Sequence, residues 1–484
     1  MFPAAFSKWR ISHINQREFT LDDQLAFAKL SGDYNPLHVD VILARRLLFG
    51  SPVVHGIHSL LWSLDCWLKS CPGMVEIHSL KAIFPKPLKV GEKVTLSLKN
   101  ESNNHVKIEL LSGESTLISM EIEWKKKGES DFDSFKKSFP KKNKPRDLSE
   151  DEIDNRSGNL DLYLNIEAAA GMFPHLTEYL SPVQISTMLG TTRLVGTECP
   201  GLHSIYSELH PLSIGDNKCT TLKYEVKKYN RLLGLISMNL VTPDMTGKVM
   251  AFVRPKPIEQ NNYLKLKDEV GSKTFIGQRA LVIGGSRGLG EVTAKLLAAG
   301  SADVKLTYHQ GKEDAECIVK EINFNGGSAG CFQFDVLRPE RNSLMESLNN
   351  WRPTHLYYFA TPFIISGMKG SFSTDLFKKF CDYYVSGFSN IIETLSNLGL
   401  KNAFYPSTVY IDELSLNMGE YAVAKLAGEM LCMFFEKNYN DFIIYRPRLP
   451  RMKTDQTVSL VKIDSQNPVP VMLEHIRLFN DFVL

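Results

Sequence analysis

The sequence predicts two kinds of domain: a pair of α+β domains, each with an apolar helix on an antiparallel sheet, and then one α/β domain with a doubly wound parallel sheet. An apolar segment at 53–67 precedes strand-like alternation over 75–124. The same order, an apolar helix and then alternating strands, recurs over 182–257. Residues 280–308 then have the pattern strand, glycine-rich turn, helix, strand, which is typical of a parallel βαβ unit.

Length and composition limit the classes of function. The 484 residues correspond to roughly three domains. The formal net charge of +2 gives no overall field for nucleic acid or a membrane surface, so we expect neither as a partner. The eight cysteines are scattered outside any zinc-like cluster, which predicts reduced thiols and no metal site. Because the N-terminal residues lack a signal-peptide core and no apolar run reaches a membrane span, we expect a cytoplasmic protein.

The first segment, residues 1–124, contains a turn that brings two titratable side chains together. A helix predicted over 20–30 leads into the sequence SGDYNPLH, residues 31–38. A residue before proline is pushed out of the helical region, so this turn can fold Asp33 and His38 back towards one point. A carboxylate and a neutral imidazole that converge on one water form a general acid/base pair. A polar surface loop between two helices is the alternative.

The residues around this turn resemble a known family. SGDYNPLH, followed five residues later by Ala44 and then by FGSPVVHG at 49–56, is very similar to the signature of MaoC-like (R)-specific enoyl-CoA hydratases, which have the hot-dog fold. The resemblance implies that Asp33 and His38 activate water and protonate carbon across a 2,3-enoyl thioester. It also implies that the N–H of Gly56 polarises the thioester carbonyl. The substrate would be a thioester of CoA or of an acyl carrier protein.

The next two segments have no such motif. Residues 125–147 are lysine-rich and predict a solvated linker, or alternatively a basic rim that meets the phosphates of CoA or the acidic helix of an acyl carrier protein. Residues 148–258 repeat the order helix then strands, with the helix at 182–195, and predict a second, degenerate hot-dog domain. We expect this domain to bind the acyl chain and the thioester and to pair with the first, without supplying chemistry.

The third segment, residues 272–484, carries a glycine loop. The strand ALVIG, 280–284, opens directly into this loop and then into an amphipathic helix, so that the backbone can approach a pyrophosphate at the positive end of the helix. The second strand ends at Tyr308 and His309 rather than at an acid, and with Arg287 in the loop this favours NADPH over NADH. The loop residues predicted to bind the cofactor are Gly284, Ser286, Arg287, Gly288, Leu289 and Gly290.

A second pattern, a tyrosine and a lysine four residues apart, follows later in the third segment. Tyr421 and Lys425 share one face of a helix, and we expect the ammonium to lower the pKa of the phenol so that it can act as an acid. Ser407 or Thr408, at the preceding strand end, would hold the substrate carbonyl. With the glycine loop, this arrangement resembles the short-chain dehydrogenase/reductase family. By that resemblance the cofactor also contacts Tyr308, Asp335, Ala360, Tyr421 and Lys425, whereas Tyr384 stands where the family has a relay Asn.

The two chemistries are consecutive. Reduction of a 3-oxoacyl thioester gives the 3-hydroxyacyl thioester that a hydratase-type site dehydrates to a 2-enoyl thioester, so we expect a bifunctional, NADPH-dependent enzyme. Two alternatives stay open: a hydratase whose reductase-like domain only binds nucleotide as a regulator or scaffold, and a non-catalytic acyl-carrier-binding module. Homo-oligomer formation through either kind of domain, the direction of the hydratase step and the acyl chain length stay open as well.

Overall fold

The computed structural model divides the chain into two compact units, Met1–Lys256 and Pro257–Leu484. Within the residues it describes, no helix is both long and apolar enough to traverse a bilayer. The described residues are 15–71, 73–99, 101–102, 104–126, 135–214, 219–338, 341–367, 369–461 and 463–483.

The first unit is built on one ten-stranded antiparallel sheet, ordered β1-β3-β4-β5-β2-β7-β10-β9-β8-β6. Its two five-stranded halves meet where β2 pairs with β7, with Ala82 opposite Leu209. The strands are β1 Gln16–Glu18, β2 Val75–Ile83, β3 Lys93–Lys99, β4 His105–Ser112, β5 Ser115–Lys126, β6 Ser157–Asp161, β7 Ser204–Ile214, β8 Thr221–Asn230, β9 Leu235–Val241 and β10 Met245–Val253.

Each half contributes one long buried helix, α4 in the first and α8 in the second. This arrangement confirms the predicted tandem of helix-on-antiparallel-sheet domains. The helices of the unit are α1 Leu21–Ser31, α2 Pro36–Val39, α3 Val41–Ala44, α4 Gly56–Leu68, α5 Glu150–Ile153, α6 Ile166–Met172, α7 Pro174–Tyr179 and α8 Pro182–Arg193.

Local sequence explains where these helices start. Thr20 and Asp23 form a reciprocal capping box at the start of α1, which fixes the approach to the turn that follows it. Helix α4 starts at Gly56, three residues later than the apolar pattern indicates, because Val53 is extended and pairs with Lys89. The apolar residues of α4 are buried all round, as expected for a helix enclosed by its sheet.

Within the lysine-rich segment, the described residues 135–147 belong to the first unit and make hydrogen bonds inside it. Strand β5 continues through Lys126. The backbone N–H of Lys136 donates to the carbonyl of Leu162, and Pro140 is buried so close to Gly32 that a Cβ on that glycine would lie 2.7 Å from its ring. The lysine side chains of this stretch stay exposed, so its backbone and Pro140 hold it in place without loss of lysine solvation.

The second unit is a six-stranded parallel sheet, ordered β13-β12-β11-β14-β15-β17, with a separate parallel pair β16-β18. This doubly wound order confirms the predicted α/β fold class. The strands are β11 Arg279–Ile283, β12 Asp303–Tyr308, β13 Ser328–Gln333, β14 His355–Tyr358, β15 Asn402–Phe404, β16 Ser407–Thr408, β17 Ile443–Tyr445 and β18 Arg448–Leu449.

Alternate residues of the central strand β11 point into two different apolar clusters. Ala280 and Val282 belong to one cluster, and Leu281 and Ile283 to the other, so each face of the sheet is covered. The helices of this unit are α9 Tyr263–Val270, α10 Gly288–Ala299, α11 Lys312–Phe324, α12 Arg341–Leu348, α13 Thr374–Cys381, α14 Phe388–Ser396, α15 Tyr410–Glu413, α16 Gly419–Asn438 and α17 Pro468–Val483.

The sequence predicts that the third segment begins at residue 272, but the second unit begins upstream of that position. Helix α9 contributes Tyr263, Leu266 and Val270 to the same apolar cluster as strand β11. The hydroxyl of Tyr263 donates to the carbonyl of Ala298 in α10, 3.1 Å away. The preceding segment is therefore part of this unit's core.

Candidate active sites

The turn after α1 has the conformation that its sequence indicates. Gly32 ends α1 in the left-handed region, with φ of 81°, and Asn35 adopts φ −57° and ψ 127° ahead of Pro36. The side-chain oxygen of Asn35 accepts a hydrogen bond of 3.1 Å from the N–H of Leu37 and so caps α2. Asp33 lies inside this turn, and His38 lies one turn further along, on α2.

His38 is oriented as a base. Its Nδ1–H donates to the carbonyl of Val53 at 2.8 Å, and because a carbonyl can only accept, the lone pair of the neutral ring is on Nε2. The ring stacks on His55 with centroids 3.8 Å apart. One carboxylate oxygen of Asp33, one ring nitrogen of His38 and one ring nitrogen of His55 lie within 4.8 Å of one another. The turn thus brings the predicted pair together.

The Asp33 carboxylate is almost fully buried, at 1% exposure. Its Oδ1 accepts from the N–H of Asn35 at 3.2 Å, and its Oδ2 accepts from the hydroxyl of Thr192 at 2.8 Å. Burial raises the pKa of Asp33, while the charge of His38 and the two hydrogen bonds act in the opposite direction. Burial also lowers the pKa of His38, which keeps its imidazole neutral, against the pull of Asp33.

The second half of the unit forms the rear wall of this site. A Cβ on Gly196 would lie 2.1 Å from Oδ1 of Asp33, so only glycine fits beside the carboxylate. The side-chain amide of Asn35 donates to the carbonyls of Gly196, Gly201 and Leu202 at 3.0, 3.1 and 3.2 Å. Gly196 lies in a π-helical turn, Leu194–Glu198, that continues α8.

These contacts were not predicted from the sequence. We expect the second half to be free of chemistry, yet Thr192 and Gly196 both touch the carboxylate of the dyad. The only local signals are the Pro-Gly turn at 200–201 and the glycine that ends the apolar helix. Neither signal indicates that Thr192 and Gly196 contact Asp33, which lies more than 150 positions away in the sequence.

His55 fixes the backbone of the dyad, and Gly56 follows it as the first residue of α4. His55 is fully buried, with Nε2 3.0 Å from the carbonyl oxygen of Asp33 and Nδ1 3.0 Å from Oε1 of Gln24. Burial lowers the pKa of His55, so its ring is neutral and donates through only one of these two nitrogens. The N–H of Gly56 has no earlier carbonyl of its own helix to bind, and a Cβ there would meet the Phe84 ring at 3.1 Å.

In the second unit, the glycine loop forms a close-packed cradle between β11 and α10. A Cβ would lie 2.9 Å from the N of Ala360 if it were on Gly284, and 2.2 Å from the carbonyl oxygen of Gly284 if it were on Gly290. Gly284 and Gly288 have φ of 78° and 57°. Ser286 is buried and Leu289 is half-buried. This loop at the positive end of α10 fits a dinucleotide pyrophosphate.

The predicted adenosine-side residues lie at the carboxyl ends of neighbouring strands. Tyr308 ends β12, and Asp335 follows β13, where its Oδ1 accepts from the N–H of Leu337 at 3.0 Å. Arg287, at the N-terminal end of α10, forms an ion pair of 3.1 Å with the buried carboxylate of Asp455. An arriving 2′-phosphate would therefore compete with Asp455 for this guanidinium.

The Tyr421 and Lys425 pair lies on one face of α16 as predicted, but its electrostatics are the reverse of those predicted. Burial raises the pKa of Tyr421 and lowers the pKa of Lys425 to about 7. The Lys425 ammonium donates to the carbonyl of Pro406 at 2.7 Å and lies 4.0 Å from the centroid of the Tyr384 ring, against 6.0 Å for that of Tyr421. Burial among these aromatic rings raises the pKa of the Tyr421 phenol, so Tyr421 stays protonated.

The structure separates the two candidate hydroxyls. Ser407 donates to the Glu429 carboxylate at 2.5 Å, and Arg448 binds the same carboxylate at 2.7 Å. The hydroxyl of Thr408, the neighbour in the two-residue strand β16, interacts instead with Tyr421 and lowers its pKa against the effect of burial. Thr408 is therefore the hydroxyl that faces the predicted proton donor.

Tyr384 fills the position at which the sequence resemblance places an Asn. It is fully buried in a second π-helical turn, Asp382–Gly387, and shares a hydrogen bond of 2.5 Å with the Thr361 hydroxyl. Its backbone carbonyl accepts from the hydroxyl of Tyr405 at 3.2 Å. Together the Tyr384 and Tyr405 rings enclose the Lys425 ammonium.

Comparison with known proteins separates the two parts of the chain. Residues 8–121 match the protein family described as MaoC like domain. The (R)-specific enoyl-CoA hydratase of Aeromonas caviae is 37% identical over 86 residues, which are 17% of this chain and 63% of that protein. The 3-oxoacyl-[acyl-carrier-protein] reductase of Synechocystis is 46% identical over 59 residues, 12% of this chain and 24% of that protein. The chain thus covers less than two thirds of either relative.

Among solved structures, a short chain dehydrogenase from Burkholderia cenocepacia in complex with NADP is similar with a TM-score of 0.38 and 21% identity, over 43% of this chain and 91% of that one. The fold of the second unit follows from its own strand order and glycine loop. The chain joins a MaoC-like domain to a unit with the doubly wound fold and the sequence motifs of the short-chain dehydrogenases/reductases.

Proposed function

We propose that the first unit hydrates and dehydrates acyl thioesters at the Asp33/His38 dyad. The observation that carries this proposal is the pairing of a buried carboxylate with an imidazole whose Nδ1–H is fixed on a carbonyl, which leaves Nε2 as the base. In the hydration direction, Nε2 takes a proton from water while the water oxygen bonds to C3 of the enoyl group. The dyad then returns a proton to C2.

Negative charge develops on the thioester oxygen during this step. Gly56 begins α4, so its N–H lies at the positive end of the helix and can donate to that oxygen. Gly56 directly follows His55, which contacts both members of the dyad, and it faces Phe84. The rings of Phe84 and of Tyr206 from the second half lie 5.3 Å apart and offer an apolar wall for an acyl chain.

For the second unit we propose reduction of the 3-oxo group. NADPH, held by the glycine loop, supplies a hydride when it is bound. Tyr421, which burial keeps protonated, gives its proton to the substrate oxygen, and Thr408 holds that oxygen. Lys425 stabilises the phenolate that is left, as long as its ammonium is charged. The product, a 3-hydroxyacyl thioester, is the substrate of the dyad in the dehydration direction.

The lysine-rich segment supports a phosphate-bearing carrier for the thioester. Lys142 lies 4.7 Å above the ring of Tyr34, which belongs to the catalytic turn. Lys141, Lys142 and Lys144 are exposed, and the described residues form no ion pair with them. We propose that these lysines contact the phosphates of CoA or of the carrier's pantetheine arm. Replacing all three with Ser should raise KM for the thioester and leave kcat unchanged.

The alternative of a nucleotide-binding unit without turnover is favoured by Tyr384, whose ring fills the position of the relay Asn and encloses Lys425. One experiment distinguishes the two functions. Purified chain is offered 3-oxoacyl and 2-enoyl thioesters, each on CoA and on carrier protein, with NADPH or NADH, and cofactor absorbance and product mass are followed. We expect hydration that Asp33→Asn abolishes, and cofactor oxidation that Tyr421→Phe abolishes.

Hydration without cofactor oxidation would restrict the proposal to the first unit and make the second a nucleotide-binding unit. Neither reaction, on either carrier, would refute both proposals and favour a non-catalytic acyl-carrier-binding module. Comparison of NADPH with NADH tests the cofactor preference directly. A preference for NADH would mean that Arg287 stays on Asp455 when the nucleotide is bound.

A further inference from the structure

Arg254, the residue after β10, is a buried cation that forms no ion pair with any residue that the structure describes. It is 2% exposed, and its guanidinium makes one hydrogen bond, from Nη2 to the carbonyl of Leu202 at 2.7 Å. Its Nε and Nη1 have no partner among the residues that the structure describes. Burial lowers the pKa of Arg254 to about 10, so the group remains charged at neutral pH. Burying an unpaired charge costs stability, and packing alone does not explain this residue.

The guanidinium lies next to the catalytic turn. The carbonyl of Leu202 that accepts from Arg254 also accepts from the side-chain amide of Asn35, at 3.2 Å. Asn35 in turn donates its backbone N–H to the Asp33 carboxylate. The backbone N–H of Arg254 donates to the carbonyl of His203 at 2.7 Å, which fixes the start of the side chain. One shared carbonyl thus separates the buried cation from the turn that carries the dyad.

We propose that Arg254 is a positioning residue for the hydratase site, a fixed buried charge that acts together with burial to hold His38 in the neutral form that accepts a proton from water. This inference rests on the proposed hydratase function. Three charged or titratable groups act on His38: the Asp33 carboxylate of its own turn, the His55 ring at the start of α4, and Arg254 at the end of β10.

Among these groups, Asp33 favours the imidazolium and Arg254 opposes it. The positive charge of Arg254 lowers the pKa of His38 together with burial, whereas Asp33 raises it. Burial alone already favours the neutral imidazole, and the charge of Asp33 acts against burial. The buried guanidinium shifts that balance, so that Nε2 is free before water arrives and the imidazolium formed during hydration is a stronger acid towards C2.

The test uses the full chain with labelled histidine, in which NMR follows the titration of His38, assigned from a His38→Gln spectrum. Arg254→Met removes the charge and the hydrogen bond, and Arg254→Gln removes the charge but can still donate to Leu202. We expect both variants to raise the titration midpoint of His38, because the positive charge that lowers the pKa of His38 is gone. The apparent pKa of the acid limb in the pH profile of kcat/KM for hydration should rise by the same amount. Arg156→Met, in the same half, is the control and should leave both unchanged.

A structural role gives a different pattern. If Gln restores the wild-type midpoint, the hydrogen bond and not the charge is what matters, and the proposal is overturned. It is also overturned if His38 titrates as in the wild type in either folded variant, or if neither variant folds. Because a lone buried charge destabilises a fold, we expect the thermal unfolding temperature of Arg254→Met to be equal to or above that of the wild type. The NMR shift is independent of turnover, so wild-type chain without hydratase activity would refute the proposed function alone.

Discussion

Substituting Gly196 with Ala is the most direct test of how the second half contributes to the dyad. The new Cβ would lie 2.1 Å from Oδ1 and 2.4 Å from Oδ2 of Asp33, and real Cβ atoms essentially never approach a neighbour closer than 3.0 Å. The carboxylate cannot rotate out of the way, because both of its oxygens are within reach of the new methyl group. Asp33 or the π-helical turn must therefore shift.

The size of the shift sets the expected loss. Bringing the closest contact from 2.1 to 3.0 Å requires a displacement of about 0.9 Å. A misplacement of about 1 Å in a reacting group costs roughly 10²-fold in rate. That loss corresponds to about 2.7 kcal/mol in the activation free energy, at 1.36 kcal/mol per tenfold. Overpacking adds about 1–3 kcal/mol of lost folding stability, which unfolding curves measure separately.

The assay is kcat/KM for hydration of a 2-enoyl thioester, with folding checked by circular dichroism. Gly171→Ala is the matched control, since Gly171 lies on the exposed side of α6 in the same half and a Cβ there meets nothing within 4 Å. We expect the control to keep full activity and to gain about 0.4–1 kcal/mol in stability. Gly196→Ala should keep the fold and lose activity.

A folded Gly196→Ala protein with activity within a factor of three of wild type would contradict the proposed role of Gly196 in placing the Asp33 carboxylate. That result would mean that the carboxylate has room that the structure does not show, or that Asp33 is not part of the rate-determining chemistry. Asp33→Asn in the same assay separates these two explanations, because it leaves the packing nearly unchanged and removes the charge.

Three further predictions concern hydroxyls and a lysine. Thr192→Val removes the hydroxyl that donates to Asp33 and should raise the apparent pKa of the acid limb in the pH profile of hydration. It should also lower kcat/KM about 10- to 100-fold, from a loss of about 1.5–3 kcal/mol, whereas Thr192→Ser should restore both values. Ser407→Ala should change 3-oxoacyl reduction little because Ser407 binds a carboxylate, whereas Thr408→Val should lower it at least tenfold; equal losses would contradict the assignment. Because the pKa of Lys425 is lowered to about 7, its ammonium is present below that pH and lost above it, so kcat for reduction should fall as pH rises through 7. Lys425→Met should remove this pH dependence along with most of the activity.

The sequence predicts those parts of the first site that lie within one short stretch. Asp33 and His38 are five residues apart, and the conformation of the turn between them depends on Pro36, on the left-handed Gly32 and on the capping side chain of Asn35. Each of these effects acts over one or two residues. The chemistry of such a turn can therefore be inferred before any packing is known.

Partners that reach the dyad from a distant part of the chain could not be predicted in this way. Thr192 lies in an apolar helix in which one hydroxyl among several looks like any other, and its contact with Asp33 spans 159 residues. Arg254 lies in a basic stretch at the end of a strand, where an exposed arginine is the usual expectation. Only the packing of the two halves shows that Arg254 is buried.

In the second unit, the predicted positions and the predicted electrostatics have different outcomes. The helical spacing places Tyr421 and Lys425 on one face, as expected. In an isolated pair the ammonium would lower the pKa of the phenol, but here the rings of Tyr384 and Tyr405 exclude water from the ammonium. Burial then dominates, and the pKa of Tyr421 rises instead of falling.

The hydrogen bonds of Asp33 show that the acid–base machinery is divided between the halves. Its Oδ1 is held by Asn35 of its own turn and its Oδ2 by Thr192 of the other half, while Gly196 leaves room for both. Asn35 also donates to three carbonyls of the second half, so any movement between the halves changes the geometry of the carboxylate. The half that lacks the dyad residues therefore still contributes to the proposed reaction, because it fixes the position of the Asp33 carboxylate.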